Sequence, residues 1–155
     1  MSVKPHLLAI YEKFYIPLGV KLKPAAKGLI LGLLPGLEEE GNEFFDRVFN
    51  ILSNLSRVLG DAYFFKSLWL SLMAAPNSRK SGLVYVLRKA PKTVTQNDLV
   101  KFMENTGSLV KALSAALEDR DLLVQRYVLE LLVVQFPMRL EYVLSRLKLI
   151  VAHTF

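Results

Sequence analysis

The stretch LLPGLEEEGNEFFDRVF, residues 33–49, most narrows what this chain can fold into, because it joins a helix stop, an acidic corner and a helix start. Pro35 and Gly36 interrupt an apolar run, and Glu38, Glu39, Glu40 and Gly41 carry the chain over a solvated bend. Asn42 then suits an N-cap, with Glu43 and Asp46 placing negative charge where a helix N-terminus favours it. Phe44, Phe45, Val48, Phe49, Leu52, Leu55, Val58 and Leu59 follow at helical spacing up to Gly60. The pattern predicts an amphipathic helix whose aromatics are core, leaving the acidic corner as the candidate contact surface.

The same punctuation divides the rest of the chain into helical lengths, and no strand alternation is present. Leu7, Leu8, Tyr11, Phe14 and Tyr15 form a stripe that predicts a first helix from Pro5 to Tyr15, and Pro24 suits the first turn of a second helix through Leu34. After Gly60, Asp61 reads as the cap of a helix carrying Phe64, Phe65, Leu68, Trp69, Leu72 and Met73, which Pro76 ends. Ser78 starts another through Lys89. Thr95 with Asp98 resembles a capping box ahead of a helix holding Leu99 to Met103, and a further helix follows Gly107. Residues 122–136 are apolar almost all round, which predicts a helix covered on two sides, and a last helix follows Pro137.

Tyr85-Val86-Leu87 recurs as Tyr127-Val128-Leu129, and the step from position 85 to position 127 is 42 residues, within the period of HEAT and armadillo units. A third copy at Tyr142-Val143-Leu144 breaks that period. The predicted architecture is all-α, with antiparallel helical hairpins stacked as a HEAT/armadillo-like α-solenoid; a closed helical bundle is the competing arrangement.

Composition removes several function classes. Without cysteine there are no disulfides, thiolate metal sites or cysteine nucleophiles. The two histidines, His6 and His153, lie near opposite ends, and HExxH, GxSxG, P-loop and GxGxxG signatures are absent. No catalytic, cofactor or metal residues are therefore assigned. The mean hydropathy of +0.31 is high, yet the apolar run from Gly28 to Leu37 falls short of a membrane span and is broken by Pro35. The first fifteen residues lack secretory-signal features, so a cytosolic address is expected.

A net charge of +6 suits acidic partners, anionic lipid or nucleic acid. Nucleic-acid motifs are missing, and the aromatics occupy packing positions, so no nucleic-acid partner is expected. Two candidate surfaces remain. Glu38, Glu39, Glu40 and Glu43 suit a basic partner, although a solvated loop leading into a helix N-terminus explains them without a ligand. Arg79, Lys80, Arg88 and Lys89 suit acidic protein or acidic phospholipid, although on one helix the run is not all on one face.

Four blocks in order give the chain a family resemblance: SVKPHLLAIYEKFYIPLG (2–19), LKPAAKGLILGLLPGLEEEGNEFFDRVF (22–49), FFKSLWLSLMAAPNSRKSGLVYVLRKAPK (64–92) and LVQRYVLELLVVQFP (123–137). The chain resembles part of the N-terminal domain of the Dopey family of membrane-trafficking proteins, over residues 1–155. The resemblance implies a non-enzymatic helical-repeat protein in the cytosol, peripheral on trans-Golgi network and endosome membranes. It further implies as partners a Golgi scaffold of the Mon family and a type IV P-type ATPase flippase, with no catalytic or cofactor positions. Members of that family are much longer, so the chain is expected to be a fragment. Its first stripe would then lack a preceding neighbour and expose apolar surface.

Overall fold

The computed structural model of the chain describes residues 5–89 and 106–131, and every regular element among them is helical. They are α1 (Pro5–Ile10), α2 (Ala26–Leu33), α3 (Phe45–Leu59), α4 (Asp61–Ala74), α5 (Arg79–Lys89), α6 (Thr106–Leu117) and α7 (Leu122–Glu130). The Thr95–Asp98 cap, the helix holding Leu99, the helix after Pro137 and the third tripeptide lie outside the described residues.

The first predicted helix forms, but with a change of winding. From Tyr11 to Tyr15 it widens into π-helix, then tightens into a 3₁₀ stretch over Ile16–Ala25 that turns at Gly19, with φ 59°. Widening adds residues per turn, so the tail of the stripe rotates off the core. Leu8 is buried and Tyr11 packs at the edge, whereas Leu7, Phe14 and Tyr15 are exposed. Pro24 falls within the 3₁₀ stretch, and α2 begins two residues later at Ala26.

Beyond α2, Pro35 and Gly36 convert the helix into a 3₁₀ turn over Leu34–Leu37. The Asn42 side chain accepts from the Phe44 N–H at 2.9 Å and its carbonyl from the Phe45 N–H at 3.1 Å. That turn delays α3 to Phe45, so Asp46 lies in the first turn and Glu43 stays ahead of it. Helix α3 buries Phe45, Val48, Ile51, Leu52, Leu55 and Leu59 on one face, with Phe44, Phe49 and Val58 at its margin.

Gly60, at φ 87° and ψ 139°, stops α3 and sits at the N-cap of α4; Asp61 is the first helical residue rather than the cap. Its carboxylate instead accepts the Ser56 hydroxyl at 2.7 Å, tying the end of α3 to the start of α4. Helix α4 is the centre of the core: Phe64, Phe65, Leu68, Trp69 and Leu72 are buried. Tyr85 of α5 meets Phe49 and Phe64 at ring separations of 5.2 and 5.6 Å.

Helix α4 packs on α2, α3 and α6, while α5 packs on α7 and on the Leu34–Leu37 turn. The result is an all-α stack with one continuous apolar core from Leu8 to Leu131. Helix α7 covers only the first part of the stretch 122–136 expected to be buried on two sides, since residues 132–136 lie outside the described residues. Val124, Val128 and Leu131 are buried, but Leu122 is 76% exposed and Leu129 is exposed too, because among the described residues its neighbours α5 and α6 cover one face.

Candidate interaction surface

The acidic corner is built by the turns on either side of it. Gly36 is buried against α3, where a Cβ would come within 2.5 Å of Val48 Cγ2. This close approach fixes the Leu34–Leu37 turn, from which Glu38, Glu39, Glu40 and Glu43 all project exposed. Glu40 reaches Arg88 at 3.4 Å, and the Arg88 guanidinium also lies over the Phe45 ring at 4.6 Å. Glu38 lines an open cleft of about 410 Å³ with Pro76, Lys80, Asp119 and Asp121. The corner thus meets the basic run in space, a juxtaposition that sequence separation concealed.

The basic residues part company. Arg79 turns inward: its Nε donates to the Leu72 carbonyl at 2.9 Å and its Nη1 to Asp119 Oδ2 at 3.0 Å, with the two side chains only 13% and 15% exposed. The Asp121 N–H donating to Asp119 at 2.9 Å, reinforced by the Arg79 guanidinium, holds the Asp119 carboxyl below the usual carboxylate range. Arg79 therefore joins α4, α5 and the turn between α6 and α7. Lys80 faces the cleft beside Glu38, whereas Lys89 lines a second open cleft, of about 560 Å³, with Arg57 and Asp61. The four cations form no single surface.

Behind that second cleft Tyr85 is buried, and burial pushes its phenol up to about 12; the Asp61 carboxylate adds to the shift and the Ser53 hydroxyl opposes it. Its role is packing between the Phe49 and Phe64 rings. Among the described residues no group of three or more His, Cys, Asp or Glu side chains is placed to hold a metal ion. No helix among them is long and apolar enough to cross a membrane.

Sequence reasoning expected the first stripe to expose apolar surface but missed its continuation into an exposed ridge through Leu18 and Val20, which join Phe14 beyond the predicted helix. The signal was Pro17 and Gly19, which preclude a regular helix there.

An all-helical stack with a charged corner and open clefts defines a domain of α-helical type. Comparison with known proteins makes the class specific: the family model described as "Dopey, N-terminal" matches residues 1–152, and the chain belongs to that family. It is 38% identical over 138 residues to Protein DOP1B of Xenopus laevis, which covers 88% of this chain and 6% of that protein. It is 35% identical over 140 residues to Protein pad-1 of Caenorhabditis elegans, covering 89% of this chain and 6% of the relative. Protein DOP1 of Saccharomyces cerevisiae matches over 93 residues at 32% identity, covering 59% of this chain and 6% of that protein. The chain thus spans about 6% of the length of these relatives. No solved structure matches it.

Proposed function

We propose that the chain is a non-enzymatic protein-interaction module acting in transport between Golgi and endosomes, peripheral on the cytosolic side of those membranes. Family membership over residues 1–152 carries this reading. The helix arrangement supports a HEAT/armadillo-like solenoid, since α4 pairs with α6 and α5 with α7, and the two recurring Tyr-Val-Leu tripeptides lie on the packed pair α5 and α7.

The proposed partners are a Mon-family Golgi scaffold and a type IV P-type ATPase flippase, and the proposed contact is the acidic corner. Glu38, Glu39, Glu40 and Glu43 are exposed on a turn anchored by Gly36, so a basic partner surface meets them without disturbing the core. The test is copurification of each partner with the chain and with its E38K/E39K/E43K variant. Loss of about tenfold or more in affinity for either partner is the expected result. Unchanged binding of both would remove the corner from the interface.

Recognition of acidic phospholipid through Arg79, Lys80, Arg88 and Lys89 has less to work with. Arg79 is held by Asp119 and Leu72, and Arg88 by Glu40, which leaves Lys80 and Lys89 on different clefts.

A further inference from the structure

We infer that residues 13–21 form a docking surface for an anionic lipid bilayer, in which Phe14, Leu18 and Val20 enter the interfacial layer and neighbouring lysines meet the headgroups. The inference is independent of the partner reading above, since it uses another part of the surface.

The apolar side chains come first. Phe14 is 65% exposed, Leu18 48% and Val20 64%, and all three fall within seven residues of chain. Gly19 turns the backbone between Leu18 and Val20, so two of them flank a bend. Neither open cleft described above is lined by this segment. Protruding apolar groups on a bend fit a fluid apolar layer, whereas a partner helix calls for a groove.

Charge then selects the surface. Between residues 5 and 28 the sequence holds Lys13, Lys21, Lys23 and Lys27 and a single carboxylate, Glu12. Glu12 is engaged by Arg47, whose Nη2 lies at 2.6 Å, so it neutralises none of those lysines. Lys23 lies over the Tyr63 ring at 5.1 Å, but Lys13, Lys21 and Lys27 are exposed and have no ion pair among the described residues. Long lysine stems keep their ammonium groups at headgroup level while apolar neighbours sit deeper. Each adds attraction to an anionic leaflet.

The 155-residue chain is floated with phosphatidylcholine vesicles that contain or lack phosphatidylserine. The expected result is binding to the phosphatidylserine vesicles alone, weakened by salt. The K13E/K21E variant should bind about tenfold or more weakly. F14S/V20S should lose binding with an unchanged thermal transition, since both side chains are exposed. F14W should shift its emission to the blue on binding, read against a buried Trp69 that does not change. Equal flotation with both vesicle types, or wild-type binding by either double variant, overturns the inference. So does competition by soluble glycerophosphoserine, which would indicate a headgroup pocket. Self-association abolished by F14S/V20S without vesicle binding would assign the ridge to a second copy and likewise overturn it.

Discussion

Gly36 and Gly82 are fixed by what lies against them rather than by backbone conformation. A Cβ at Gly36 would meet Val48, and one at Gly82 would overlap the Leu72 side chain. Gly36→Ala should therefore destabilise the fold by about 1–3 kcal/mol in denaturant titration, the usual range for overpacking. In sequence Gly36 reads as a helix stop, a reading that does not contain the neighbour. Asp119 carries a second prediction at this scale. Its folded pKa lies below the unfolded value of about 3.9, so its contribution to stability is present above that value and is lost as pH falls through the folded pKa. Asp119→Asn should be less stable at pH 7 and should lose less on acidification than the parent, as measured by denaturation at each pH.

Among the elements, α4 and α7 both carry many apolar residues and differ in their surroundings. Helix α4 is packed by α2, α3 and α6, and Phe64 is fully buried. Phe64→Ala should cost about 3–5 kcal/mol through lost burial and the cavity left behind. Leu122 at the start of α7 is largely exposed, and Leu122→Ala should change stability by no more than about 0.5 kcal/mol. Paired denaturation curves decide both, and a large loss at Leu122 would mean that α7 is covered on a second side. Element existence was well legible here: α3 to α5 lie close to where periodicity and Pro or Gly breaks put them. Starts were less legible, because Asn42 forms a turn ahead of α3 and Gly60, rather than Asp61, sits at the N-cap of α4. The first choice turns on one side-chain hydrogen bond and the second on the positive φ of Gly60.

For the molecule as a whole, the Arg79–Asp119 pair joins elements that are remote in sequence. Arg79 also holds the Leu72 carbonyl, so one side chain connects the end of α4 with the turn between α6 and α7. A double-mutant cycle on Arg79 and Asp119 should return a favourable coupling of about 1 kcal/mol. In Arg79→Ala, amide exchange should rise in α6 and α7 before it rises in α3. Uniform acceleration would show the stack opening as one unit. At this scale the charged residues were only partly legible: the exposure of the acidic corner reads from sequence, but its contact with Arg88 does not, because Glu40 and Arg88 are remote in sequence.

The sequence by itself determined the all-helical class, the main helix breaks and the family, since these rest on local periodicity, on prolines and glycines, and on ordered blocks along one chain. Tertiary structure decided which charges remain available and which apolar residues stay uncovered. Arg79 is withdrawn by Asp119, Glu12 is engaged by Arg47, and a wider turn at Tyr11 rotates Phe14 away from the core. Pairing and burial depend on distances between segments far apart in the chain, whereas helical periodicity describes only the segment that carries it.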